Sequence, residues 1–225
     1  MTGSGSTKPT PAPPVTVLHS ERVLLGRIED LEAENAALKA ERDEWKTKAH
    51  VDSMTGLPNR REFDRQLYLC AVDADNHGYQ FALLFIDLRD LHGINHRHSP
   101  AVADNVLRHL ARKLRMALRA DDHILLARIG GDEFAILIRT EGLDLEGLEI
   151  ITKRIHMIVT GGAYQRRDNN EAIPIQISIG GCLRTIPVED VESFFQRASE
   201  NNEAAKEVYY QGRDEQGELP IIITH

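Results

Sequence analysis

Residues 128 to 137 read RIGGDEFAIL: two glycines, Gly130 and Gly131, run directly into two carboxylates, Asp132 and Glu133, and then into the apolar stretch Phe134 to Leu137. A second carboxylate position stands near the end of another apolar run, QFALLFIDL (80 to 88), which closes on Asp87 and Leu88. Paired carboxylates, with phosphate oxygens filling the remaining positions, are how proteins hold magnesium. If the two apolar runs are neighbouring strands of one sheet, Asp87 and Asp132 converge on such a site. The plainer alternative is that Asp87 caps a strand end and Asp132 solubilises a turn.

The elements that must position these acids can be read from periodicity. Residues 124 to 128 and 134 to 138 are two short apolar runs split by glycines, which predicts a β-hairpin with Asp132 at its tip. Gly56 and Pro58 in DSMTGLPNRREF mark a turn, after which Asn59 caps a helix over residues 60 to 69. Leu107, Leu110, Ala111, Leu114 and Leu118 recur at three- and four-residue steps, so a helix is expected from 101 to 118. A helix over 145 to 159, the polar loop QRRDNNEA, a strand over 173 to 181 and a helix over 190 to 210 complete the set. Strands and helices mix without regular βαβ alternation, which places the domain in the α+β class.

Ahead of this domain the chain changes character twice. Residues 1 to 19 are rich in Ser, Thr, Pro and Gly and lack the layout of a secretory signal; they are expected to be disordered. Over 20 to 50, Ile28, Asn35, Arg42 and Ala49 fall at heptad a, and Leu24, Leu31, Leu38 and Trp45 at d. The g residues Arg27, Glu34 and Glu41 would face Glu32, Lys39 and Lys46 of a parallel partner, all attractive pairings. Asn35 at a favours two strands in register. A homodimer through this coiled coil is expected, and the same helix is a natural seat for a regulatory protein. The other reading is one amphipathic helix lying on its own domain.

Bulk properties narrow the partners. With 27 basic and 35 acidic residues the formal charge is -8, which argues against nucleic acid or a membrane surface as a general partner. No run approaches the ~20 apolar residues that span a bilayer. Two cysteines, Cys70 and Cys182, each in an apolar setting, read as free thiols of a cytoplasmic protein.

DSMTGLPNRR, FIDLRDLHGIN, Asp104 and GGDEF follow one another in the order and approximate spacing of the diguanylate cyclase family, whose domains are called GGDEF domains after that hairpin. The resemblance covers about residues 50 to 215 and implies a palm-like fold, similar to nucleotide cyclases, with a central, mostly antiparallel sheet flanked by helices. It implies condensation of two GTP molecules into cyclic di-GMP with release of two pyrophosphates, on magnesium or manganese. Asp87, the carbonyl of Leu88, Asp132 and Glu133 are then the metal set, with Asp132 and Glu133 catalytic. Asn95 and Asp104 match the guanine-reading pair, because a carboxylate accepts from both N1–H and N2–H of guanine. Leu91, His92, Gly130, Gly131, Lys206 and Arg213 match positions around the substrate. Arg119 and Asp122 resemble the RxxD site of product inhibition, with Arg128 as a further cation, although seven residues separate Asp122 from Gly130. A charged helix end is the alternative there.

The departures bear on activity. Arg89 stands where relatives often carry a second Asp, Leu91 and His92 replace a phenylalanine and a phosphate-facing lysine, and NHRHSPAVAD (95 to 104) differs from the usual stretch at His96, Ser99, Pro100 and Ala103. Lys206 and Arg213 are seven residues apart where the family's pair is closer, and Tyr209 sits at the lysine's place if Arg213 is kept. The sequence therefore supports a diguanylate cyclase, and as a rival a degenerate relative that binds GTP or a protein without turnover. A purely structural dimeriser leaves the hairpin acids unexplained.

Overall fold

A computed structural model describes residues 15–118, 123–140, 142–184, 189–211 and 219–225. The chain forms two compact units, residues 1–47 and 48–225. The first is carried by helix α1 (Val15–His50), which begins inside the stretch expected to be disordered. Its described apolar seam is open to solvent in the single chain: Leu24, Ile28, Leu31, Leu38 and Trp45 are all exposed. The side chain of Lys46, one member of the expected g to e' pairs, lies outside the described residues.

The second unit is built on a five-stranded sheet in the order β2-β3-β1-β6-β7. β1 (Phe81–Leu88) is central, antiparallel to β3 (Glu133–Arg139) on one side and to β6 (Ile177–Arg184) on the other. β2 (His123–Arg128) pairs antiparallel with β3, and β7 (Ile221–Thr224) parallel with β6. Hence the expected α+β class and mostly antiparallel sheet are what the chain forms. All eight residues of β1 are buried, as a central strand covered on both faces requires.

Alternation along β1 sorts its side chains between two cores. Ala82, Leu84, Ile86 and Leu88 pack with α4 (Pro100–Ala117) and α5 (Leu145–Thr160). Phe81, Leu83 and Phe85 pack with α2 (Arg60–His77) and α6 (Val191–Tyr210). On the α6 face a Cβ at Gly180 would lie 2.0 Å from the backbone nitrogen of Asn202. Only glycine lets α6 approach β6 this closely, and the approach carries the C-terminal half of α6 over the end of β1. Cys70 and Cys182 are free and buried in this layer, and burial pushes the Cys182 thiol up to about 12.

Several boundaries differ from the sequence reading. α2 continues to His77 because its polar outer face masks the repeat; it stops at Gly78, whose left-handed φ of 72° closes the helix. The strand expected over 173 to 181 is two strands, β5 (Ala172–Pro174), which pairs with β4 (Ala163–Gln165), and β6. α3 (Leu91–Arg97), β4 and β7 have no counterpart in the sequence reading; α3 buries only Ile94, too little to leave a helical repeat in the sequence.

Candidate active site

The register of the β1–β3 pair sets opposite Asp87 the neighbour of Asp132: Glu133 is the direct cross-strand partner. Directly opposed residues project to the same face of a sheet, so Glu133 and Asp87 share the α6 face. Asp132 occupies the turn, half-buried, and its backbone oxygen accepts from the Leu88 N–H at 3.1 Å, locking the hairpin tip to the end of β1.

Two cations attend this acidic pair. Lys206 Nζ, delivered by α6, lies 2.9 Å from Asp87 Oδ2 and 3.8 Å from Glu133 Oε1, with Glu203 Oε1 at 2.7 Å. One ammonium thus bridges the two carboxylates. Arg89, two residues beyond Asp87 on the same face, forms a second ion pair with Asp87 and stacks over Tyr210 at 5.5 Å. The guanidinium is almost wholly buried, and its Nε and Nη1 have no hydrogen-bond partner among the described residues. Burial holds the Arg89 guanidinium below its ordinary value, opposed by the charges of Tyr210, Asp132 and Glu203. Tyr209, at the position considered for the family's lysine, donates instead from its hydroxyl to Gln176 Oε1 at 2.9 Å.

The remaining site residues lie on the other side of the strand end. Asp90, at φ 57°, turns the chain into α3 and receives a hydrogen bond from Arg97 at 2.6 Å. Leu91 is half-buried against the α4–α5 core, and His92 is exposed. Asn95 on α3 is exposed and Asp104 on α4 half-buried; neither makes a side-chain hydrogen bond or ion pair among the described residues. Gly131 has open space where a Cβ would project, whereas the same position at Gly130 meets Glu133 Oε2.

Arg128, expected near an inhibitory site, links the hairpin tip to the turn at 52 to 58. Its Nη2 donates to Gly131 O at 2.6 Å and its Nη1 to both oxygens of Asp52 at 3.2 Å. Burial opposes ionisation of Asp52, but hydrogen bonds from Thr55 and from Arg128 outweigh it and hold the carboxyl below its usual range. The wide turn at 52 to 58 is thereby tied to the hairpin tip, a link that sequence spacing does not show. Arg119, Asp122 and Arg213 lie outside the described residues.

A family profile described as "Diguanylate cyclase, GGDEF domain" matches residues 49–212. The chain belongs to this GGDEF family. Among curated relatives, diguanylate cyclase TpbB of Pseudomonas aeruginosa is 35% identical over 156 residues, covering 69% of this chain and 35% of that protein. The response regulator PleD of Caulobacter vibrioides is 32% identical over 158 residues, covering 70% of this chain and 34% of PleD. This GGDEF chain therefore spans about a third of the length of those relatives. The crystal structure of the coiled coil and GGDEF domain of DgcB from Caulobacter crescentus, in complex with c-di-GMP, superposes with a TM-score of 0.75 at 24% identity, over 90% of this chain and 99% of that one. The GGDEF domain of TpbB gives a TM-score of 0.64 at 29% identity, over 78% of this chain and 94% of that one.

Among the described residues no group of three or more His, Cys, Asp or Glu side chains is gathered for a metal ion, and two carboxylates form the acidic part of the site. Two carboxylates from adjacent strands already converge on one positive group, the Lys206 ammonium, beside the end of β1 that carries Leu88. Among the described residues no helix is long and apolar enough to cross a membrane.

Proposed function

We propose that this chain condenses two GTP molecules into cyclic di-GMP, releasing two pyrophosphates, as a second-messenger enzyme working as a homodimer. The observation that carries the reading is the bridging of Asp87 and Glu133 by a single cation, next to an open hairpin backbone and two uncommitted polar side chains, Asn95 and Asp104. Asp87, Glu133, Asp132 and the Leu88 carbonyl would hold magnesium or manganese, which supplies charge neutralisation and alignment for phosphoryl transfer.

The chain's own residues account for the rest. Asp104 accepts from N1–H and N2–H of guanine and Asn95 answers its acceptors, so adenine would leave both unpaired. Gly131 leaves room for the triphosphate to approach the backbone, flanked by Leu91 and His92. Lys206 adds positive charge beside the phosphates, with Arg213 as a further candidate. Glu133 would accept a hydrogen bond from an attacking 3'-hydroxyl. Because the product is two-fold symmetric and one such site holds one GTP, two domains must face each other; paired α1 seams would bring them together. Incubating the purified protein with GTP or ATP and magnesium, then separating the nucleotides, tests this: cyclic di-GMP from GTP alone is expected, and absence of any dinucleotide at high protein concentration overturns turnover.

A second reading is supported by Arg89. A buried guanidinium on Asp87 competes with any metal there, as a GTP-binding module without turnover would tolerate. Saturable GTP binding without product identifies that case. Product inhibition through Arg119 and Asp122, and control by a protein bound to α1, remain part of the proposal; the diguanylate cyclase SiaD of Pseudomonas aeruginosa, a fold neighbour at 22% identity with a TM-score of 0.64, is solved in complex with its activator SiaC.

A further inference from the structure

Away from the strand-end acids, α4 presents Arg108, Arg112 and Arg115 at steps of four and three, which places them along one face of the helix. With the turn at residues 54 and 55 and the loop between β4 and β5 they line a cleft of about 780 Å³, to which Arg166 and Arg167 add two more guanidiniums. Arg166 is neutralised by Asp168 at 2.5 Å and Glu171 at 2.9 Å. The other four have no carboxylate in ion-pair reach among the described residues. Arg108 and Arg115 donate only to neutral groups: the Met54 carbonyl at 3.3 Å, Asn105 Oδ1 at 3.0 Å and the Gly56 carbonyl at 2.8 Å. Four uncompensated positive charges thus gather in one concavity of a chain whose net charge is -8. Next to the cleft, burial holds the His109 imidazole below its ordinary value, and the charges of Arg112 and Lys113 act in the same direction.

We propose that this cleft binds a small anion carrying two or more phosphate groups. The guanidinium fork matches phosphate oxygens in bidentate fashion, and its weak hydration suits it to such pairs. The volume lies within the range of roughly 300 to 1,000 Å³ typical of small-molecule sites. The acidic remainder of the chain disfavours a long polyanion, whose charge would extend beyond the cleft. Ser99 adds a hydroxyl to the lining, since the Thr55 hydroxyl donates to Asp52, and the half-buried ring of Tyr164 offers a surface on which a base could stack. A free oligophosphate and the phosphate tail of a nucleotide share the required chemistry, and the Tyr164 ring separates them. Occupancy would also bear on the 52 to 58 turn, which Arg128 ties to the hairpin tip. None of this depends on turnover at the strand-end acids.

Isothermal titration of the full chain with inorganic tripolyphosphate, and in a second arm with ATP, both with EDTA and at fixed ionic strength, tests the site. Saturable binding of one anion per chain is expected. Arg112→Glu with Arg167→Glu should weaken it at least ~tenfold, through loss and reversal of two charge-assisted contacts. Arg112→Gln with Arg167→Gln should weaken it in the same direction, and Asp132→Ala should leave it unchanged. ATP binding tighter than tripolyphosphate assigns a nucleotide, and ATP binding no tighter assigns a free oligophosphate. Absence of saturable heat in both arms at millimolar ligand, or equal affinity in the folded double variants, overturns the site, as does equal displacement by sulfate at the same ionic strength.

Discussion

Helix α1 and the sheet domain treat apolar side chains in opposite ways. The domain buries Phe81, Leu83, Leu84 and Ile86 of its central strand completely, between helices on both faces. α1 leaves Leu24 61% and Trp45 64% exposed along its heptad seam. Burial of a Leu or Ile contributes about 1.5 to 3 kcal/mol. The domain has drawn that energy from its own residues, whereas the seam of α1 has not; under the dimer proposed above a second copy would supply it. Chemistry should therefore fail through domain residues without disturbing assembly, and assembly should fail through α1 without disturbing the domain.

Asp132→Ala sets the comparison's strongest contrast. Turnover should fall at least a hundredfold, equivalent to ~2.7 kcal/mol of barrier. The residue sits half-buried on a turn, so melting temperature and sedimentation should match the parent protein. Near-native activity would remove Asp132 from the mechanism, and a changed sedimentation coefficient would break the separation of roles.

Deleting residues 1 to 48 attacks the other side. The domain should remain folded but monomeric at low concentration, so that two half-sites meet by diffusion in place of a tethered encounter at an effective concentration that reaches ~millimolar. Activity per protomer should then rise with protein concentration. A monomeric truncation with the full chain's specific activity at every dilution refutes the proximity mechanism.

Arg89 sharpens the domain's side. With Arg89→Ala, Asp87 keeps Lys206 as its one counter-ion among the described residues, so a divalent ion has one fewer competitor. Manganese affinity, followed by loss of the free-ion resonance signal, should tighten about tenfold, or ~1.4 kcal/mol. Unchanged affinity would mean that Arg89 moves aside at negligible cost.

The same division governs what the sequence discloses. Local patterns carried the heptad of α1, the hairpin around Gly130 and Gly131, and the cap at Asn59, which accepts from the Glu62 N–H at 3.1 Å. What depends on register between distant segments was less visible. The motif points to Asp87 and Asp132 converging on neighbouring strands, and the register adds that Glu133 is the direct partner of Asp87. Lys206 reads as a phosphate contact, and only the packing of α6 on Gly180 shows it against Asp87. Arg128 is one residue of a strand until the fold brings it to Asp52, 76 positions earlier. The arginine cleft gathers α4 with a turn and a loop remote in sequence, and no motif announces it.

A smaller effect, within the domain, is set by pH. A hydrogen bond from Arg65 opposes the effect of burial on Glu62, and Gln66 and His50 add to it, bringing the carboxyl from its ordinary 4.5 to about 2. A depressed carboxyl stabilises the fold fully above its unfolded value and loses that contribution as pH falls through the folded one. The parent protein should therefore lose more melting temperature than Glu62→Gln between pH 4.5 and 2. Parallel curves for the two would remove Glu62 from acid unfolding.

The smallest effect per residue belongs to the helix surface, and it tests what kind of partner the α1 seam has. Glu34 and Glu41 occupy g positions and, in a parallel in-register dimer, face Lys39 and Lys46 of the second copy. Each exposed pair contributes ~0.2 to 1 kcal/mol, so reversing the charge with Glu34→Lys and Glu41→Lys should weaken the dimer without abolishing it. The defect should shrink as salt rises, because screening at ~1 M confines electrostatics to about 3 Å. The domain's melting temperature should not change, since these side chains belong to the other unit. Sedimentation and turnover measured on the same samples, at low and high salt, decide the matter. A dimer insensitive to both reversals would mean that the seam pairs in another register or direction, and a seam occupied by a different protein would show the reversal in that protein's binding and not in self-association.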